Sequence, residues 1–129
     1  NLFKNAANPN FIKKILNIAY PSGKNNNNEL IDIIFKPTQR EGAPEAFRGF
    51  INLFDDYLAT DLLKDLNLPV YLIWGEKDPW EPVKEAQRWF ETFECIKSID
   101  IIKDAGHCPH DEMPNKVNPI LEKIIQEAI

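Results

Sequence analysis

The chain has 129 residues, 43% of them hydrophobic and 27% charged, with a formal net charge of -5. That is enough for one globular domain with a core, and it excludes collagen-like, coiled-coil and highly charged disordered chains. An acidic chain with scattered lysines also lacks the basic face that nucleic-acid binding needs.

The first third reads as helices and loops. Asn8 before Pro9 is a helix start, an Asn cap followed by proline at the first helical position. Phe11, Ile12, Ile15, Leu16 and Ala19 repeat at helical spacing, with Lys13, Lys14 and Asn17 opposite. The apolar face suits a packed helical layer or a greasy substrate channel, and its flanking lysines allow weak contact with a membrane surface. Pro21–Gly23 stops this helix. The polar tract 25–28 has no apolar residue to bury and is expected as a solvated loop. Leu30, Ile31, Ile33 and Ile34 suggest a second helix, ended by Pro37. Pro44 opens a third, with Phe47, Phe50, Ile51 and Phe54 on one face. Thr60 is expected to cap a short turn through Leu62, Leu63 and Leu66. No stretch of the first half reads as a strand.

The second half changes character. Pro69–Trp74 is a continuous apolar run, bounded by Pro69 and Gly75, and is expected as a strand buried on both faces. Pro82–Phe93 is an amphipathic helix with Val83, Ala86, Trp89, Phe90 and Phe93 inward, and Trp74 and Trp89 are expected in the core. Ile96–Ile102 is a second strand. Asn118–Pro119 opens a final helix with Ile120, Leu121, Ile124 and Ile125. Strand, helix, strand, helix implies parallel strands joined by a right-handed crossover, an α/β architecture. Two parallel strands need further strands beside them. The chain also begins at Asn1 without methionine, so it is expected to be the C-terminal piece of a larger α/β domain.

The longest apolar run in this half, Val70–Trp74, is far short of the ~20 residues that cross a bilayer. No basic stretch leads into an apolar segment and a cleavage site, so no signal peptide is read. Cys95 and Cys108 have neither metal-finger spacing nor the number that makes a disulfide framework, which points to a reducing, cytoplasmic setting.

In a parallel sheet, reactive residues gather just past the carboxyl ends of the strands. The loop after the first strand offers Asp78, and the loop after the second offers His107. Neighbouring parallel strands put both loops on one edge, where a carboxylate can fix the imidazole tautomer and stabilise the imidazolium. Asp78 would orient the ring, and His107 would act as general base and then general acid. Gly106 allows a tight loop before it. Trp80 follows the acid loop and is expected at the pocket rim, touching substrate or packing on the layer above.

His107, Cys108, His110, Asp111 and Glu112 are metal-ligand types. A closed zinc site takes about four ligands, and Pro109 with its turn would splay these apart, so no metal is expected. Asp111 and Glu112 are expected at the start of a short turn before Pro114, where negative charge suits a helix N-terminus. Cys108 lacks a second histidine suitably placed to activate it as a nucleophile.

Residues 69–80 resemble the last-but-one strand and acid loop of the α/β-hydrolase fold, and residues 104–112 resemble its last strand and histidine loop. The order acid, then histidine, is the family's order after the nucleophile. The resemblance implies a helical cap segment over residues 1–40 and the C-terminal part of the core over residues 41–129. More finely, Trp74–Val83, Gly106–Glu112 and Val117–Pro119 are similar to plastid and cyanobacterial hydrolases related to pheophytinase and chlorophyll dephytylase. Those enzymes cleave the phytyl ester of chlorophyll pigments. The likeness implies a small hydrophobic substrate with an ester-like bond, no cofactor, and a plastid location should the source be a photosynthetic eukaryote.

One element of the family pattern is missing. Ser22 and Ser98 are the only serines, one in a helix stop and the other inside a strand, and neither sits in a Gly-x-Ser-x-Gly elbow. No oxyanion-hole loop is present either. The 129 residues alone are therefore expected to be inactive, with the nucleophile upstream. An upstream serine would make an esterase. An upstream aspartate would make a dehalogenase or epoxide hydrolase. A degenerate elbow would leave a non-catalytic binding protein.

Overall fold

The computed structural model describes residues 2–52 and 57–128. The elements in chain order are α1 (Leu2–Ala6), α2 (Pro9–Ala19), α3 (Asn28–Thr38), α4 (Ala43–Ile51), α5 (Ala59–Leu63), β1 (Val70–Gly75), α6 (Val83–Thr92), β2 (Ile96–Ile102), α7 (Pro109–Glu112) and α8 (Pro114–Ala128). No described helix is long and apolar enough to cross a membrane.

The helix start at Asn8 forms as its sequence dictates. The Asn8 side chain accepts the Phe11 N–H at 2.9 Å, satisfying one of the free donors of the first turn. Ile12, Leu16 and Ala19 of α2 pack with Tyr20 and with Ile31 of α3 into one apolar cluster. The polar tract before α3 is more than a solvated loop. Asn27 caps α3 by accepting the Leu30 N–H, and Asn26 donates to Asn17. Asn25 donates to the Asp111 carbonyl.

Three proline and cap expectations are corrected. Pro37 lies inside the last turn of α3 and does not end it; the helix runs on to Thr38. Pro119 lies inside α8, which begins at Pro114. The earlier start is fixed by burial, because Met113 and Val117 pack with Ile102 and Ala105. That contact compensates for the one backbone hydrogen bond that Pro119 removes. Thr60 sits within α5, whose N-cap is Leu58 with no side-chain cap bond. Phe54, expected on one face with Phe47, Phe50 and Ile51, lies outside the described residues.

β1 and β2 pair in parallel, with Val70 opposite Ile96 and Gly75 opposite Ile102. Among the described residues the sheet has these two strands. β1 is therefore half-buried from Val70 to Trp74, where burial on both faces was expected. The reason is physical: Val70 and Leu72 face α6 and Ile73 faces α8, but no described strand pairs with the other edge of β1. Trp74 and Trp89 are likewise half-buried and pack edge to face, 5.9 Å between ring centroids. On α6, Ala86 is fully buried, while Phe90, expected inward, is 42% exposed.

Candidate active site

Parallel pairing puts the loops after β1 and β2 side by side, and backbone bonds join them. The Glu76 N–H donates to the Ile102 carbonyl at 3.0 Å, and the Lys77 N–H to the Ala105 carbonyl at 2.8 Å. Asp104 turns the chain out of β2 with a φ of 67°, a left-handed conformation that Asp tolerates. Its carboxylate pairs with Lys77 at 2.7 Å, and that partner holds its pKa below the ordinary range.

Two glycines let the loops approach this closely. A Cβ on Gly75 would lie 1.8 Å from the Gly106 carbonyl oxygen. A Cβ on Gly106 would lie 2.0 Å from the Ala19 carbonyl oxygen. Gly106 is thus required for close packing more than for turn geometry.

These loops bring Asp78 and His107 together. Asp78 Oδ2 lies 2.9 Å from His107 Nδ1. Asp78 Oδ1 accepts the N–H groups of Trp80 at 2.9 Å and Glu81 at 3.0 Å. The Asp78 side chain is 6% exposed and that of His107 is 41% exposed. Burial pushes the Asp78 carboxyl up, but the Glu81 and Trp80 N–H groups and His107 outweigh it, so its pKa falls below the ordinary value. An ionised carboxylate can only accept hydrogen bonds. The ring proton must therefore sit on Nδ1, and the lone pair on Nε2. Nε2 makes no hydrogen bond to a described residue and is available to take a proton.

A lowered folded-state pKa has a definite sign in stability. The stability Asp78 contributes is present above about pH 4 and is lost as the pH falls through the depressed folded value. Asp78→Asn is expected to flatten the acid limb of the stability curve. This is read as a smaller drop in melting temperature between about pH 6 and about pH 3. Superimposable acid limbs for the two proteins would contradict the assigned hydrogen bonding.

Trp80 stands edge to face against the His107 ring, 4.8 Å between centroids, and is 46% exposed. A cleft of about 190 Å³ opens beside the pair, lined by Ile73, Trp74, Gly75, Asp78, Glu81, His107 and Pro109. A second, almost wholly apolar groove of about 320 Å³ lies between α1, α2, α3 and α4, lined among others by Phe3, Phe11, Ile15, Ile34 and Phe47.

Among the described residues, no three His, Cys, Asp or Glu side chains are gathered to hold a metal ion. Both cysteines are free thiols. His110 is exposed. Asp111 accepts the Tyr20 hydroxyl at 2.8 Å. Burial above all, with Asp111 and Cys108 alongside, holds the Tyr20 phenol well above its usual range, so it stays a donor. Glu112, expected as a charge at the edge of a short turn, is instead buried at the end of α7. Its carboxylate accepts from Ser22 and Gly106. Sequence reading missed this role. The available signal was an acidic residue in the turn that directly follows a Gly-His pair.

The chain has the fold of the C-terminal part of an α/β-hydrolase. It matches a solved structure of a variant of CumD, a meta-cleavage product hydrolase, with a TM-score of 0.76. The match covers 93% of this chain and 46% of that one at 17% identity. In sequence it resembles the chloroplastic pheophytinase of Arabidopsis thaliana, with 26% identity over 124 residues. The chain spans about a quarter of that relative's length (25%). No family model matches the chain.

Proposed function

We propose that this chain supplies the general base and its orienting carboxylate to a hydrolase of ester-like bonds in hydrophobic substrates. The observation that carries the reading is the 2.9 Å contact between His107 Nδ1 and a nearly buried Asp78 carboxylate at the carboxyl edge of two parallel strands. The names of both relatives support it.

The nucleophile is a serine hydroxyl contributed by sequence outside these 129 residues. It attacks the substrate carbonyl carbon as His107 Nε2 takes its proton. The resulting imidazolium is stabilised by Asp78, which stays ionised. The imidazolium then gives the proton to the leaving alkoxide, and an acyl-enzyme remains. Water, deprotonated by the same Nε2, releases the acid and restores the serine. Residues 1–40 form the helical cap, and residues 41–129 the C-terminal part of the core. The groove between α1 and α4 takes the aliphatic part of the substrate, and Trp80 lines the mouth of the cleft. A prenyl-type ester fits this division, and the chloroplastic relative favours a plastid location.

The test uses the protein that carries this chain together with its upstream sequence. A fluorophosphonate probe is expected to label it, and His107→Ala is expected to abolish labelling. A folded protein that takes no label would overturn the serine mechanism. Trapping of an alkyl ester on an upstream aspartate would move the reading to the dehalogenase and epoxide-hydrolase branch. Failure of both would leave a binding protein.

A further inference from the structure

Among the described residues, Glu112 is the charged side chain that the fold buries most completely, at 1% exposure. Burying a carboxylate is costly unless hydrogen bonds replace its water. Here three hydrogen bonds replace it, all from neutral donors. Oε1 accepts the Ser22 N–H at 2.9 Å and the Ser22 hydroxyl at 2.6 Å. Oε2 accepts the Gly106 N–H at 2.5 Å. No described lysine or arginine pairs with it.

The partners show what this side chain holds in place. Gly106 directly precedes His107, and Ser22 lies three residues beyond Ala19. The His107 N–H itself donates to the Ala19 carbonyl at 2.9 Å. The carbonyl of Gly106 is packed against Gly75, and its Cα against Ala19. The backbone entering His107 is therefore held on both sides. One hold joins His107 to Ala19, and the other runs through Glu112 from Gly106 to Ser22. A residue of similar size without charge could fill the space, but all three contacts are made by donors, and only a carboxylate accepts them all.

We infer that Glu112 is a positioning residue: its buried carboxylate fixes the Gly106–His107 backbone against the Ser22 turn and so holds the imidazole in register with Asp78. This rests on the reading of Asp78 and His107 as a catalytic pair. Glutamine does not substitute for Glu112, because its NH2 would face the N–H of either Gly106 or Ser22.

The test is nuclear magnetic resonance on the ¹⁵N-labelled protein. It follows the hydrogen-bonded Nδ1 proton of His107 and the Gly106 amide, with their exchange rates referred to amides in the middle of β2. That reference separates a local effect from a global loss of stability, which would speed all of them together. In folded Glu112→Gln, both His107 and Gly106 protons are expected to exchange at least about tenfold faster than the β2 reference allows. The Nδ1 proton is also expected to move upfield as its bond to Asp78 lengthens. Unchanged relative rates and an unmoved Nδ1 proton in the folded variant would overturn the proposal. Should Glu112→Gln fail to fold, Ser22→Ala carries the test. It removes one donor of three, a smaller acceleration in the same two protons is expected, and none would overturn the proposal. Asp78→Asn is the control for the underlying pair. If the downfield proton is missing from the unmodified protein, or survives Asp78→Asn, the catalytic-pair reading fails, whatever Glu112 does.

Discussion

On the proposed function, Asp78→Asn in the full protein is expected to lower kcat by about 10⁴-fold while leaving KM nearly unchanged. The size of the effect follows from the loop. Oδ1 of residue 78 is committed to two backbone donors, from Trp80 and Glu81. An asparagine carbonyl can keep both bonds, and that choice puts its NH2 where Oδ2 stood, facing His107 Nδ1. A donor there forces the ring proton to Nε2, and the lone pair that would accept the serine proton is lost. The variant keeps its shape and holds the wrong tautomer. Steady-state kinetics on a hydrophobic ester at neutral pH measure this. A fall of less than about tenfold would show that another group orients the histidine.

Gly75→Ala is expected to destabilise the fold by about 3 kcal/mol, at the upper end of overpacking effects. The new methyl would lie 1.8 Å from the Gly106 carbonyl oxygen and 2.7 Å from that of Ala105. Both are backbone atoms of the histidine loop and cannot rotate aside, so the loop itself must move. Gly49 gives the contrast. It sits within α4 with nothing within 4 Å of a built Cβ. Gly49→Ala should gain up to about 1 kcal/mol from helix propensity. Denaturant midpoints of the two variants should therefore shift in opposite directions. A Gly75→Ala cost below about 1 kcal/mol would mean that the loops do not approach as described.

The meeting of Asp78 and His107 was legible because it depends on local patterns. An apolar run bounded by Pro69 and Gly75 makes a strand, a second run follows one helix later, and parallel order sets both loops on the same edge. The Asn8 cap was legible for a similar reason, since the donor it satisfies lies three residues away. What escaped reading depends on distant packing. Glu112 meets Ser22 across 90 residues, and neither residue's neighbours announce the other. The start of α8 was misplaced at Asn118–Pro119 because proline signals a helix start locally. The burial of Val117 against Ile102 and Ala105 overrides that signal. Pro37 was read as a stop, yet α3 absorbs it in its last turn. Strand burial was overread because an apolar sequence reports what a strand can bury, and the sheet decides what it does bury.

Asp78 and His107 stand 29 residues apart along the chain, and Ser22 and Glu112 stand 90 apart. Closing the longer loop costs roughly 1 kcal/mol more chain entropy than closing the shorter one. The acid and the histidine can thus be brought together by a single strand–helix–strand unit, from sequence that leaves the ribosome as one short stretch. The buried carboxylate meets Gly106 within six residues, but its two bonds to Ser22 span 90. The spacing therefore makes the contact between Asp78 and His107 the less costly of the two to close, and the bonds of Glu112 to Ser22 the more costly.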